Sequence, residues 1–455
     1  MRLNKAQTTV IVLLNLLIAA LVAYIFLSPY FVKAGGGQGG TPPDGDPPNQ
    51  GANTDPVPPH NKLRDAIAGK TPEILRETRL MGTGDEHVVS VFFKDGVTYV
   101  FGNAGVGDLD FDSYGGFLCT VNGAGTILGF TYFAGAITAA SAVGGGYAVA
   151  TESGAGTGDA TAKLYFVDYT GDARETATLD GAARDVFALD NNKLAVVTQP
   201  TSSSLKFSEY ATGEGEFALG RSTRIECWYN LTYFDCYDLG GTYVISARAH
   251  SLPLYDAVVF FTFVPGGSET AHYYGGSNDA KTRPYAVMPF GGGYFALADK
   301  GGLATLISVD YAFKSYHSSS LDFTFEDARL FFTGGKYYAC FDRADGAITY
   351  ELDENLGRRR LDGLGGASVR CAASVGETAL VGVKGEYKDG KRDNKALELH
   401  LPASGKSLSL DVTDGEAYGA NKSADGITLV ITARGGEALS SPSGGSDVYI
   451  VTVKL

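Results

Sequence analysis

Past residue 70 the chain repeats one hydrophobic phrase: an apolar strand, a Gly- or Asp-rich turn, and a second apolar strand. The turns and their sequels read "KDGVTYVFG", "GGGYAVAT", "NNKLAVVT", "GGTYVISA", "GGGYFALA", "GGKYYACF", "GETALVGV" and "DGITLVIT". Their first strong apolar residues are Tyr99, Tyr147, Leu194, Tyr243, Tyr294, Tyr337, Leu380 and Leu429, spaced 48, 47, 49, 51, 43, 43 and 49 residues apart. Eight recurrences at a near-constant period mark a propeller or another repeat array. A third apolar run follows each turn, as in "KLYFVDY" and "DVYIVTV", and its alternation has the period of two that a strand needs. A shorter, more polar fourth run closes most units, as in "ETATLDG" and "SYHSSSL". The pattern predicts an all-β protein of four-stranded blades, graded from an apolar innermost strand to a polar outermost one.

The ends of the repeat bear on closure. The last unit stops after its third run, "DVYIVTV", while an orphan run, "EILRETRLMG" at 73–82, precedes the first. Docked on the last blade, that run completes an eight-bladed ring and removes the open edges that invite aggregation. A seven-bladed ring with one irregular insertion is the alternative.

Ahead of the repeat the pattern changes twice. No charged residue occurs from Ala6 to Val32, and residues 8–27 alone give twenty positions, roughly 30 Å of helix and one hydrocarbon core. Arg2 and Lys5 precede this run, so the bias of positive charge toward the cytoplasm places residues 1–7 inside and everything after Lys33 outside. We assign 8–31 as a transmembrane signal-anchor helix in the cell membrane. A cleaved signal peptide is the competing reading, for which the apolar run is long. Residues 34–60 hold seven Gly and seven Pro. Such a stretch has little to bury, so 32–70 is expected to be a disordered linker and 71–455 the propeller.

The first unit contains, in order, "GTGDE" (82–86), "KDGVTYVFG" (94–102), "GDLDFDSYGGFLCTVNGAG" (107–125) and "ILGFTYFAG" (127–135); "YYGGSNDAKTRPYAVMPFGGGYFALADKG" (273–301) repeats its opening half. These units resemble a bacterial extracytoplasmic β-propeller repeat family, whose units run GGSxDD, strand, DGGYxVxG, an Asp-rich bend, then GGxDAW. The family's Trp is missing here, with Phe117 and Leu118 near its place. The resemblance implies a propeller, export, and a binding or surface role; it supplies no catalytic residues.

Composition narrows the partners. A net charge of −14 disfavours nucleic acid, whose phosphates require a basic face. Asp108, Asp110 and Asp112 alternate beside a Gly pair in "GDLDFDSYGG". Their oxygens suit a calcium ion as cofactor, or the capping of a tight bend. The loop lacks the Gly and terminal acid of an EF-hand and does not recur. Five cysteines cannot all pair; Cys227 with Cys236, or Cys340 with Cys371, are the disulfide candidates. None has CxxC spacing.

Six scattered histidines offer no HxH or HExxH, and neither a GxSxG elbow nor a phosphate loop occurs. Asp85, Glu86, Asp185, Asp279 and Arg283 precede or begin innermost strands, where an enzyme would gather carboxylates. The most unusual stretch is "RIECWYNLTYFDCYD" (224–238), with the chain's single Trp. Trp228, Tyr229, Tyr233 and Phe234 are the candidate binding residues, since aromatics on a loop tip contact protein or sugar. The expected function is a binding, scaffold or ligand-sensing module for an envelope protein or polysaccharide. The alternative is an extracytoplasmic glycosidase or lyase using carboxylates at the propeller face.

Overall fold

The computed structural model describes residues 61–65, 74–80, 85–104, 115–154, 161–189, 192–213, 215–251, 255–277, 281–388, 391–436, 439 and 445–454. The anchor at 8–31, the linker as far as residue 60, the acidic loop of Asp108, Asp110 and Asp112, and Asp279 all lie outside the described residues. Among the described residues no helix is long and apolar enough to cross a membrane.

The described chain forms eight antiparallel sheets, the blades of a β-propeller, spanning 87–133, 136–179, 182–226, 230–277, 282–320, 327–360, 368–411 and 416–453. The first strand of each blade touches the first strand of the next, and that of blade 8 touches that of blade 1. The ring is therefore closed, with the first strands innermost. All eight turn-following residues from Tyr99 to Leu429 fall on second strands, and the orphan run docks as expected. Ile74–Leu80 pairs antiparallel with Asp447–Val453, from Ile74 opposite Val453 to Leu80 opposite Val448. The orphan run and the last run thus share one blade, and the eight-bladed reading holds over the seven-bladed alternative.

Hydrophobic packing explains why the ring must be complete. The buried apolar residues fall into eight clusters, each made by two neighbouring blades. Val244 of blade 4 packs toward blade 5, whereas its chain neighbour Ile245 packs toward blade 3. Successive side chains of a strand point to opposite faces, so each blade buries its two faces on different partners. Glycine at the start of the second strand has a steric cause: a Cβ on Gly146 or Gly293 would run into the Val167 or Val309 carbonyl.

Two points refine the expectations. The innermost strands, though apolar, are not the most buried; second and third strands such as Val97–Ala104 and Gly115–Asn122 are buried almost throughout, while His87–Lys94 is mostly half-buried. The innermost strand has a blade on neither side of its inner edge and lines the axial opening, where water reaches it. The linker also ends earlier than its composition suggests. Asn61–Asp65 is a fifth strand on blade 8, paired antiparallel with Ile74–Leu80. Backbone hydrogen bonds let a polar strand join a sheet edge without a hydrophobic pattern in its sequence.

Candidate functional site

Each blade is an up-and-down meander, so one face of the ring carries the starts of the first strands, the turns between second and third strands, and the links between blades. On this face seven of the eight first strands carry a one-residue bulge in their pairing with the second strand. A bulge bends its strand and re-aims a side chain, and such bulges are common beside functional sites. Arg184, Phe234, Tyr285 and Arg370 are among the residues they set apart.

The link from blade 3 to blade 4 stands out on this face. Its two ends are pinned to the preceding turn: the Cys227 amide donates to the Ser203 carbonyl at 2.9 Å and the Leu231 amide to the Ser202 carbonyl at 2.7 Å. The intervening residues must arch outward, and Trp228 is 98% exposed. Tyr229 stacks on Tyr255 with ring centroids 3.9 Å apart and planes 3° from parallel. Tyr273, 40% exposed, lies with its hydroxyl 3.5 Å from the Cys227 sulfur. Trp228, the Tyr229–Tyr255 pair and Tyr273 form an aromatic ledge.

The four aromatic candidates therefore separate. Trp228 and Tyr229 belong to the ledge. Tyr233 turns toward blade 3, where its hydroxyl donates to Asp185 Oδ2 at 2.5 Å. Phe234 packs into the apolar cluster between blades 4 and 5 and is a core residue. The bulge between Tyr233 and Asp235 sets Phe234 apart in this way.

The disulfide expectation is also corrected, for Cys227, Cys236, Cys340 and Cys371 are all free thiols. Asn230–Asp238 is one extended strand. Six residue steps from Asn230 to Cys236 cover roughly 20 Å, far beyond the ~4–7 Å Cα separation a disulfide tolerates.

Beside the ledge, a pocket of 530 Å³ opens between blades 3 and 4, lined by Arg184, Gln199, Ser202, Leu231, Thr232 and Tyr233 among others. Arg184 Nε donates to Gln199 Oε1 at 2.8 Å. The Gln199 amide nitrogen donates to the Leu231 and Ser202 carbonyls at 2.9 and 3.3 Å. Both hydrogens of that amide are thus engaged, which fixes its oxygen toward Arg184.

Next to the pocket, at equivalent bulge positions in neighbouring blades, stand Asp185 and Asp235. Each accepts the amide of the following residue, Val186 or Cys236, at 2.8 Å. Burial, and then the nearby charge of Asp185, pushes the Asp235 carboxyl up to about 7. Burial also raises Asp185, against the opposing hydrogen bond from Tyr233. Half-buried carboxyls whose proton affinity is raised in this way are chemically suited to proton transfer.

The remaining charged candidates are structural. Asp85 accepts the Ser446 amide at 2.8 Å and faces Arg434 at 3.3 Å, joining blade 1 to blade 8. Glu86 is buried, and its amide donates to the Ser446 carbonyl. Arg283 lies over the Tyr285 ring, 4.9 Å from its centroid. Arg370 links blades 6, 7 and 8, with Asp342 at 3.6 Å and Glu416 at 3.0 Å. Among the described residues no group of three or more His, Cys, Asp or Glu converges as a metal site.

Sequence reasoning missed Arg184, Gln199, Asp235, Tyr255 and Tyr273. Aligning first strands rather than turns would have paired Asp185 with Asp235, which precede Leu194 and Tyr243 by nine and eight residues. Nothing local marks Tyr255 or Tyr273, which reach the ledge only through the pairing of their strands.

Among solved structures the chain is similar to the WD40 domain of SCAP from fission yeast, at 9% identity and TM-score 0.47, over 87% of this chain and 98% of that one. It is similar as well to an oligogalacturonate lyase in complex with manganese, at 11% identity and TM-score 0.47, over 88% and 97%. A third likeness is to the dihydro-heme d1 dehydrogenase NirN, at 11% identity and TM-score 0.48, over 78% of each chain. No protein-family model and no curated protein matches the chain. At these identities the likeness concerns the fold alone.

Proposed function

We propose that this chain is a membrane-anchored, extracytoplasmic propeller that binds an envelope polysaccharide on the aromatic ledge. The observation that carries the reading is Trp228, 98% exposed on a link pinned at both ends. No described residue covers the apolar surface of this indole, and its link, held at both ends, pre-orders it for a partner. A protein partner needs roughly 800 Å² from each side with an apolar centre. Around Trp228 the exposed neighbours are polar, namely Arg224, Glu226, Asn230 and Thr232, apart from the ledge's own Tyr273. One flat aromatic surface flanked by hydrogen-bonding groups suits a sugar ring, which has an apolar face and a polar edge. The anchor at 8–31, the linker and the resemblance to the exported repeat family agree with an extracytoplasmic place for this encounter.

Alanine at Trp228 is expected to weaken binding of polysaccharide extracted from the cell envelope by about tenfold or more, with the melting temperature unchanged. Calorimetric titration checks this; equal affinities would exclude the ledge, and capture of an envelope protein lost in the same variant would favour a protein partner.

A second reading, a carbohydrate-active enzyme, is favoured by the proton-holding Asp235 beside Asp185. It requires new reducing ends or unsaturated ends to appear in the polysaccharide on incubation, and their loss in Asp235→Asn. Polymer of unchanged length excludes it.

A further inference from the structure

We infer that the pocket beside the ledge receives an anionic group of the bound polymer, a carboxylate or a phosphate, with Arg184 as its cation. This rests on the ledge being a glycan site and adds the class of glycan.

The chain carries a net charge of −14, so carboxylates are plentiful as partners for its arginines. Most described arginines use them, including Arg248, which holds Asp256 through two hydrogen bonds of 2.8 and 2.6 Å nearby in blade 4. Arg184 has no carboxylate within ion-pair distance among the described residues, although Asp185 follows it in the chain. It is held instead by neutral Gln199, itself fixed by the Leu231 and Ser202 carbonyls. Anchored through Nε alone, the guanidinium keeps its two terminal amino groups for a ligand, in the planar fork that matches a carboxylate or phosphate.

The surroundings match that role. Arg184 and Thr232 are exposed on the pocket wall, and Thr232 lies 3.4 Å from His250 Nε2. His250 is within electrostatic reach of Arg248, Asp256 and Arg283, the last an exposed arginine held by the Tyr285 ring with no carboxylate at ion-pair distance among the described residues. Asp185, the next residue in the chain, is turned to the Tyr233 hydroxyl and the Val186 amide, and Asp256 is held by Arg248. Leu231, whose carbonyl orients Gln199, is three residues from Trp228, so one polymer reaches ledge and pocket together.

The test uses the full chain in detergent micelles, with Trp228 emission as the readout. Three probes are titrated: a uronic acid oligosaccharide, its carboxyl-reduced neutral form, and a glycerol phosphate oligomer. The expected result is that at least one charged probe binds more tightly than the neutral one and weakens as salt screens the pair. Arg184→Gln should weaken the charged probe by about tenfold or more while leaving the neutral one within about twofold, with Arg184→Lys between. Which charged probe responds distinguishes carboxylate from phosphate. Equal affinity for charged and neutral probes, or equal weakening of all by Arg184→Gln, overturns the inference and leaves the ledge standing. Should none of the three bind, the extracted envelope polysaccharide decides. Unchanged affinity in Arg184→Gln overturns the inference, and no effect of the polymer on Trp228 overturns the ledge itself.

Discussion

A chain lacking Ile74–Leu80 will melt well below the intact protein and self-associate. The strand carries two buried apolar anchors, Ile74 and Leu80, each worth roughly 1.5–3 kcal/mol. It also brings Arg79, whose Nε lies 3.1 Å from the fully buried Asp447. Its removal bares Asp447–Val453, seven successive buried residues that would become a long apolar sheet edge. Such an edge is a template for pairing with another chain. The point variant Arg79→Met isolates the ion pair. Taking one partner from a buried pair costs about 3–5 kcal/mol, because the other charge keeps its desolvation penalty. Calorimetry and size-exclusion chromatography check both; a truncated protein that stays monomeric with the same melting temperature contradicts the account of closure.

Asparagine at Asp235 will stabilise the protein at pH 8 and leave it nearly unchanged near pH 4. Burial and the Asp185 charge raise this carboxyl to about 7 in the folded state, against ~3.9 in the unfolded chain. Between those values the folded protein binds more protons than the unfolded one, so stability falls as pH rises through this window. Above pH 7 the full cost is present, on the order of 4 kcal/mol for a shift of this size. The neutral amide removes it and can still accept the Cys236 amide. Asp185→Asn acts in the same direction, since it removes the like charge facing Asp235 and the burial cost of Asp185 itself, less the strength of the Tyr233 hydrogen bond that the charge receives. Melting temperatures of the three proteins at pH 5 and pH 8 check this. An Asp235→Asn gain equal at both pH values contradicts the assignment.

Much of the fold was legible because each blade repeats one problem. A strand whose two faces bury against different neighbours reads as an apolar run, and a turn into it reads as Gly or Asp, so Tyr99 to Leu429 all fell on second strands. What the repeat leaves out was not legible. A bulge shifts pairing by one residue without changing composition, which hid the kinship of Asp185 with Asp235 and sent Phe234 inward. Asn61–Asp65 joins its sheet by backbone pairing that no apolar pattern announces. Cys227 and Cys236 look close in sequence, but most of an extended strand lies between them. The exposure of Trp228 depends on the Ser202 and Ser203 carbonyls, some 25 residues away. The candidate site is thus a product of how blades 3 and 4 meet, and only its aromatic content is written locally.

Trp228 is the sole indole, so its fluorescence reports the ledge without labelling. The most direct test is iodide quenching of that emission, alone and with saturating envelope polysaccharide. The account predicts free quenching in the unbound protein, then a blue shift and protection when the polymer binds. An indole already protected before addition, or equally open to iodide after it, would contradict the claim that this exposed side chain is a binding surface.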